Sequence, residues 1–340
     1  MSVPYNARLW MESEAAALAV SSLPVFEKYE VLNEGHDRVC REAVMRAEQW
    51  MVDTGEGSPP APYCWFELGS GGRRERTLAS DQDHGIVYGD LDDTQPDISR
   101  EREYQVYFLK FGRRIAFELE AIGYSLCLGN VMASNPRWCH EIRSWKQTLA
   151  GWMEEGGLDS IRYLLIASDM RGVYGDRSMV HLLGNWLRRK LYERRDLRKR
   201  FAEHSAAHTI PLGMFGQLYY ERWGDYAGLY DMKEGGYYQI VNTVRILSLT
   251  HQIEEVGTKE RLISLYQAGV LSAQDQDTWL HILRLFLHVR LTHHLALRQQ
   301  GVPLHNYIDL KHWHREQKRE WKEALGFLKV QQKRLVRTHT

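Results

Sequence analysis

The sequence predicts a mixed α/β domain followed by an all-helical domain. In the first half of the chain, short apolar runs alternate with longer segments of helical periodicity. From about residue 176 onward, nearly every segment has helical periodicity, and Gly and Pro separate the segments. We therefore expect an N-terminal helical segment over residues 1–58, an α/β domain over 59–175 and a helical domain over 176–340.

The elements of the first half follow from their periodicity. Segments with apolar residues at helical spacing are 7–53, 99–122 and 138–152. Gly123 is expected to cap the second of these helices. Short aromatic or apolar runs typical of strands are 63–68, 84–88 and 124–128. The run 161–167 fits a strand or a helix, since its period does not decide between them.

Composition excludes several classes of protein. Among 340 residues, Lys plus Arg equals Asp plus Glu at 44 each, so net charge does not point to nucleic acid or an anionic membrane as the main partner. No stretch approaches the roughly 18 apolar residues of a membrane span. Glu12 and Glu14 stand where a signal peptide would be basic or apolar. We expect a cytoplasmic protein whose four cysteines are buried, reduced thiols.

The predicted chemistry lies between the first two strands. The first strand leads into the turn 69–72, Gly-Ser-Gly-Gly, where backbone N–H groups can approach an anion and the Ser70 hydroxyl adds a donor. Asp81 and Asp83, two residues apart in an extended segment, place both carboxylates on one face. Adjacent carboxylates repel each other unless a cation lies between them, and Mg²⁺ or Mn²⁺ takes such oxygen ligands.

Each of these signals alone has an ordinary structural explanation. A Gly-Ser turn is most often only a turn, and an Asp-x-Asp pair is most often a solvated loop or a helix start. Their order and spacing between two predicted strands favour a triphosphate site beside a metal site. These are the minimum requirements for nucleotidyl transfer.

The basic run 187–200 leaves two interpretations open. Leucines at helical spacing predict a helix with a solvated charged face, and the alternative is an RNA- or phosphate-binding surface. The histidines at 281, 288, 293 and 294 are interpreted as core or surface residues, because no HExxH pattern accompanies them.

The motif resembles a known superfamily. Gly69-Ser70 followed by Asp81-x-Asp83 resembles the signature of the DNA polymerase β-like nucleotidyltransferases. The fuller pattern GSxGRxExTLxSDQD is similar to bacterial nucleotidyltransferases that are often joined to CBS or cyclic-nucleotide-binding domains. Those in turn are similar to protein-PII uridylyltransferases and glutamine synthetase adenylyltransferases. Further segments resemble the family in the expected order over most of the chain: 131–138, 168–176, 231–236 and 258–262.

The resemblance implies a small mixed sheet with helices, followed by a helical-bundle, substrate-binding domain. It implies that Gly69 and Ser70 bind the triphosphate, and that Asp81 and Asp83 bind metal. Active members of the superfamily usually need a third carboxylate, for which Asp169 is the candidate. The alternative is an aspartate that caps a helix or pairs with Arg171.

Other residues are weaker candidates for nucleotide binding. Gly72 and Arg73 extend the phosphate loop, and Glu75 is expected to hold Arg73 in place unless the two form an ordinary surface ion pair. Lys233 and Arg261 are candidates for a nucleotide or acceptor site in a cleft between the domains, with structural roles as the alternative.

The leading functional hypothesis is an enzyme that transfers UMP or AMP from a nucleoside triphosphate to a hydroxyl of a protein. One alternative is a non-catalytic nucleotide-binding module that acts in regulation or signalling. Another is a small-molecule transferase of the antibiotic-modifying kind. We expect neither a membrane nor a nucleic acid as partner. Because CBS, cyclic-nucleotide-binding and phosphohydrolase domains are not recognised, we expect any regulatory input to come by another route and the transferred group to stay attached.

Overall fold

A four-stranded mixed sheet is the centre of the first part of the fold. The computed structural model describes residues 13–14, 16–78, 80–90 and 98–339. The strands are β1 (Tyr63–Glu67), β2 (His84–Tyr88), β3 (Cys139–Glu141) and β4 (Arg171–Gly175). Their order is β3-β2-β1-β4, with β1 antiparallel to both neighbours and β2 parallel to β3. β1 and β2 are fully buried, which confirms both of those predicted strands and explains their continuous apolar runs.

Two long helices cover one face of this sheet. They are α1 (Val25–Asp53) and α2 (Ile98–Ile122), and their apolar faces join Tyr63 and Trp65 of β1 in one core. Residues 16–20 are also helical, but Pro24 separates them from α1, so the predicted helix over 7–53 is interrupted. Residues 7–12 lie outside the described residues. α2 ends at Gly123, whose φ of 111° confirms the predicted cap.

The other face packs against α3 (Ile142–Glu155). The Trp145 ring contacts Phe66 of β1, and its Nε1 donates to the Ile86 carbonyl at 2.9 Å. The predicted helix start at Trp138 is wrong. Residues Pro136–Trp138 form a 3₁₀ turn, and β3 follows because its backbone pairs with β2.

Two further expectations are settled by the backbone. The predicted strand 124–128 is wrong, since its described pairing is a single bridge between Ser125 and Asp81, and Leu128 is fully exposed. The undecided run 161–167 is helical and lies in α4 (Leu158–Ala167). β4 was not predicted, because its mixture of small, charged and aromatic residues has no clear alternation.

The chain divides into two compact units, one of residues 1–155 with 166–187 and one of 156–165 with 188–340. The helices after β4 are α5 (Arg177–Glu193), α6 (Arg195–Ala207), α7 (Tyr238–Thr250), α8 (Thr258–Gln267), α9 (Ala273–Gln299) and α10 (Arg315–His339). A two-stranded ladder pairs β5 (Tyr230–Asp231) with β6 (Tyr307–Ile308), and a π-helix covers Lys233–Tyr237. The predicted α/β class with a helical second half is confirmed.

Two smaller expectations concern the described residues. Cys40, Cys64 and Cys139 are buried free thiols, and Cys127 is a half-buried free thiol. None of the helices in the described ranges has the length and apolarity needed to cross a membrane.

Candidate active site

The Gly-rich segment forms a single helical turn, Gly69–Gly72, directly after β1. Gly69 has a φ of 53°, a backbone conformation that residues other than glycine rarely adopt. Within the described part of the chain, no group accepts a hydrogen bond from the N–H groups of Gly69, Ser70 and Gly71 or from the Ser70 hydroxyl. These donors lie at the start of the turn, where the first N–H groups have no acceptor in the turn itself. The turn therefore presents hydrogen-bond donors to an anion.

The segment 81–83 has the alternation that its sequence predicts. Gln82 is fully buried, and its Nε2 donates to the carbonyls of Ala116 and Tyr124 at 3.1 and 3.0 Å. Asp81 is exposed and Asp83 is half-buried. Because side chains alternate along an extended segment, anchoring Gln82 inward leaves both carboxylates on the opposite, accessible side.

Asp83 lies against the Gly-rich turn. Its carbonyl accepts from the Leu68 N–H at 2.9 Å, which extends the β1–β2 ladder by one pair. A Cβ atom built on Gly69 would come within 2.7 Å of Asp83 Oδ2. The carboxylate therefore occupies the space that a side chain at residue 69 would fill, and it lies beside the donors of the turn.

Arg171 holds the turn from behind. Its Nε donates to the Gly72 carbonyl at 3.1 Å and its Nη2 to the Gly71 carbonyl at 2.9 Å. The same guanidinium makes two bonds to Asp37 of α1, at 2.7 and 3.1 Å, and one to Glu67 at 2.9 Å. Burial alone lowers the pKa of Arg171, but Glu67 and Asp37 outweigh it and raise the pKa. The guanidinium is thus a permanently charged clamp on the two carbonyls.

Glu67, the last residue of β1, is the buried centre of this clamp. It is fully buried and ion-paired with Arg76 as well as with Arg171. Burial alone lowers the pKa of Arg76, but Glu67, Cys40 and Tyr124 together outweigh it, so the pKa is raised. Removing one partner of a buried ion pair costs about 3–5 kcal/mol, so this network fixes the loop after β1.

Arg73 points into the protein. Its Nη1 donates to Asp169 Oδ2 at 2.5 Å and its Nε to Glu75 Oε2 at 2.9 Å, and all three side chains are buried. The surface ion pair considered for Arg73 and Glu75 is therefore wrong. Two buried carboxylates hold the Arg73 guanidinium, and a phosphate contact of Arg73 stays a prediction.

Asp169 and Gly72 also have buried contacts inside the protein. Asp169 is fully buried and pairs with Arg73, so the alternative partner Arg171 is wrong. A Cβ at Gly72 would lie 1.9 Å from the Asp169 carbonyl oxygen. Gly72 is thus needed for close backbone packing, and its part in nucleotide binding stays a prediction. A catalytic role for Asp169 stays a prediction, and its contacts are those of a residue that positions Arg73.

The remaining candidates lie in the second unit. The Lys233 backbone N–H donates to Asp231 Oδ1 at 2.8 Å at the start of the π-helix, and its side chain is half-buried. Arg261 is fully buried, and its Nε donates to the Glu255 carbonyl at 2.9 Å. Its contacts favour the structural alternative for Arg261, while nucleotide binding by Lys233 stays a prediction.

Asp81 and Asp83 suit a hard divalent cation whose other ligands are water and substrate phosphates. The described residues contain no group of three His, Cys, Asp or Glu side chains arranged to hold a metal, the C-terminal histidines included. Two accessible carboxylates, completed by water and substrate phosphates, match the coordination habit of Mg²⁺. Cys127 is near Asp83, but burial and then the Asp83 carboxylate raise its pKa to about 12. Without a bound metal, the thiol is therefore protonated at neutral pH.

Comparison with protein families agrees with this geometry. Residues 14–158 match the family model described as "Putative nucleotidyltransferase DUF294", and residues 195–339 match the one described as "Putative nucleotidyltransferase substrate binding domain". Together the two models cover more than four fifths of the chain. The chain belongs to this nucleotidyltransferase family. A comparison with curated proteins finds no significant match.

Sequence reasoning missed the residues that hold the loop. The sequence suggests Arg171 only as a partner of Asp169, and Glu67 stands inside the strand-like run 63–68. One signal was available, namely an acidic residue at the end of a fully apolar strand followed by three arginines at 73, 74 and 76. A charge in such a position needs a buried partner.

Proposed function

We propose that this chain transfers UMP or AMP from a nucleoside triphosphate to a hydroxyl group of a protein, with release of pyrophosphate. The observation that carries the proposal is the Asp83 carboxylate lying against Gly69, at the start of a turn with three N–H donors that have no described acceptor. The donors suit triphosphate oxygens and the carboxylates suit the accompanying cation. Membership of the nucleotidyltransferase family supports the reaction class.

The proposed division of labour follows from the contacts. Asp81 and Asp83 hold Mg²⁺, which when bound neutralises charge on the triphosphate. The N–H groups of the turn and the Ser70 hydroxyl orient the phosphates. The hydroxyl oxygen of the acceptor bonds to the α-phosphorus, the bond from that phosphorus to pyrophosphate breaks, and the leaving oxygen keeps the electron pair. The hydroxyl proton passes to water.

The test is a transfer assay with each α-labelled nucleoside triphosphate, Mg²⁺ or Mn²⁺, and a cell lysate as the source of acceptor. We expect label on a discrete protein with the wild type. We expect the transfer rate of the Asp81→Asn/Asp83→Asn variant to fall by more than about 100-fold. Mutating residues that only hydrogen-bond to metal ligands already lowers metal affinity or activity about 10–100-fold. Asp53→Asn, at an exposed carboxylate at the end of α1, is the control and should transfer normally.

A second candidate function is nucleotide binding without transfer. It is favoured by one observation, the burial of Asp169 together with the lack of a third metal-binding side chain among the described residues. Under this function, no nucleotide is transferred in any assay, while Mg²⁺-dependent binding of a nucleoside triphosphate persists and is lost in Asp83→Asn. Label on a small molecule in place of a protein would identify a small-molecule transferase.

A further inference from the structure

An open cleft in the second unit contains none of the residues assigned to the proposed reaction. Its volume is about 860 Å³, within the usual size of small-ligand sites, which is roughly 300–1,000 Å³. One wall is formed by the start of α4 and the two residues before it, and the other wall by one side of α6. Among the described residues, no Phe, Tyr or Trp lines it.

Two helices begin at this cleft. α4 starts at Leu158 after Gly156 and Gly157, and α6 starts at Arg195. The first N–H groups of a helix have no acceptor within the helix, and the helix dipole places partial positive charge at that end. Both helices exceed eight residues, so each contributes a full N-terminal turn. The backbone alone therefore makes the cleft favourable for an anion.

The side chains add positive charge that carboxylates do not cancel. Arg200 is fixed against the start of α4, because its Nη1 donates to the Gly156 carbonyl at 2.5 Å. Gly156 has a φ of 56°, and a Cβ there would lie 2.4 Å from that nitrogen. In the described part of the chain, neither Arg195 nor Arg200 forms an ion pair with a carboxylate.

Two acidic residues also line the cleft, and both have cationic neighbours. Asp196 accepts two hydrogen bonds from Arg194, each at 2.9 Å. Glu203 lies 3.9 Å from Lys199, and both side chains are more than half exposed, so that pair is weak. Three cationic side chains and two carboxylates thus line the cleft, which leaves one net positive charge. Both Arg194, outside the lining, and Arg200 lower the pKa of the Asp196 carboxyl.

A buried imidazole lies at the wall of the cleft. His204 is 8% exposed, and within the described residues its Nδ1 has no hydrogen-bond partner. Burial first, and then the neighbouring His208, Arg245 and Arg162, lower the pKa of His204 to about 4. The ring is therefore neutral at physiological pH and can donate one N–H to a ligand oxygen. His204 Nδ1 is one of several buried polar atoms without a partner among the described residues, and His204 lines the cleft, where a ligand oxygen can supply that partner.

We propose that this cleft binds the phosphate groups of a small phosphorylated molecule, with Arg195, Arg200 and His204 as the contacting side chains. This is the phosphate-binding alternative for the basic run 187–200. A single-stranded RNA would find no aromatic platform here for its bases, which such proteins commonly supply. The site is independent of the transfer reaction, because it needs neither Asp81 nor Asp83.

The test is a titration of the full chain with sodium pyrophosphate at constant ionic strength, followed by the ¹H–¹³C signals of the His204 ring. The signal is assigned by its loss in His204→Gln. We expect a saturable shift in the wild type and in the Asp81→Asn/Asp83→Asn variant alike. Arg195→Ala and Arg200→Ala should each weaken binding roughly tenfold or more, since each removes a charge-assisted contact.

Arg198→Ala is the matched control. It removes the same charge from the same helix, but Arg198 donates to the Tyr192 carbonyl at 2.9 Å and does not line the cleft. It should bind pyrophosphate within twofold of the wild type. The proposal is overturned if the His204 signal stays unmoved at millimolar pyrophosphate, or if all three arginine variants weaken binding equally. A tighter, length-dependent response to a single-stranded oligoribonucleotide would also overturn it in favour of an RNA surface.

Discussion

Gly69 is the residue on which the geometry of the candidate site depends most directly. It combines a φ of 53° with the close approach of the Asp83 carboxylate. Gly69→Ala should cost about 1–3 kcal/mol in the free energy of unfolding from backbone strain. It should also displace Asp83 and weaken Mg²⁺-dependent binding of nucleoside triphosphates. Urea denaturation and a binding titration measure the two effects.

Gly55→Ala separates these two effects. Gly55 has a φ of 84° in the same unit, but a Cβ there would have no neighbour within 4 Å. The control should lose stability without losing nucleotide affinity. Equal nucleotide affinities for the two variants would mean that the contact between Gly69 and Asp83 does not shape the site.

Two buried histidines couple the stability of the first unit to pH. His36 donates from Nε2 to the Thr77 carbonyl and accepts from the Tyr124 hydroxyl, and His84 accepts from the Ala133 N–H. Burial first, and then Arg76, lower the pKa of each to about 3. Between pH 6.5 and 3 the unfolded chain binds protons that the folded chain does not, so stability falls as pH falls, by about 1.4 kcal/mol per pH unit for each histidine.

Urea denaturation at pH 7, 6 and 5 tests this coupling. His84→Gln should be less stable than the wild type at pH 7, but its stability should decline less steeply towards pH 5. His281→Gln changes an exposed histidine of the second unit and is the control for the substitution itself. Parallel pH profiles for the wild type and His84→Gln would show that His84 is not held neutral.

At the scale of elements, β4 controls the turn after β1 through a single side chain. Arg171 reaches the Gly71 and Gly72 carbonyls while two carboxylates anchor it. Arg171→Lys keeps the charge but not the planar set of donors. It should lower nucleotide affinity about 10–100-fold, since each lost charged hydrogen bond is worth about 1.5–3 kcal/mol.

Arg74→Lys is the matched control for this prediction. Arg74 also contacts Asp37, at 3.0 Å, but no hydrogen bond joins its side chain to a carbonyl of the turn. Isothermal titration with a nucleoside triphosphate should show near-normal affinity for Arg74→Lys. Equal losses in the two variants would indicate that the interaction with Asp37, and not the grip on the turn, sets the affinity.

The sequence predicts those elements whose pattern of apolar residues shows by itself which side is buried. β1, β2 and α2 were predicted, because apolar runs and a helical stripe need no knowledge of their partners. The segment 124–128 has strand-like composition, yet Tyr124 forms hydrogen bonds to residues of other elements in place of strand pairing. The Tyr124 hydroxyl bonds to His36 of α1 and its carbonyl accepts from Gln82. Tertiary contacts of this kind override local propensity.

For the candidate site, residues close in sequence could be predicted to lie together, and partners distant in sequence could not. Residues within about fifteen positions of one another, Gly69, Ser70, Asp81 and Asp83, could be placed together from spacing and alternation. The partnerships of Arg73 with Asp169 and of Arg171 with Asp37 span 96 and 134 positions, and no local pattern specifies them. The sequence therefore indicated where substrate phosphates would meet the protein, while the support behind that surface required the fold.

At the scale of the whole molecule, the first unit is discontinuous in sequence. The first family model ends at residue 158, but β4 and Arg171 follow α4, most of which lies in the second unit. A fragment 1–158 lacks the edge strand that pairs with β1, and that leaves a buried apolar strand with an unpaired edge. It also leaves the buried carboxylates Glu67 and Asp37 without Arg171.

We therefore expect the fragment 1–158 to unfold without cooperativity or to aggregate, and to bind no nucleotide. A fragment 1–187 restores β4 and Arg171 and should unfold in one cooperative transition. Circular dichroism during thermal unfolding and nucleotide titration compare the two. The fragment 1–187 carrying Arg171→Lys isolates the grip on the turn from the strand, since it keeps the β1–β4 pairing and a positive charge beside Glu67 and Asp37. It should remain folded while losing nucleotide affinity. If 1–158 folded cooperatively and bound nucleotide as 1–187 does, β4 would be an accessory to the sheet, and the clamp on the turn would have no bearing on the site.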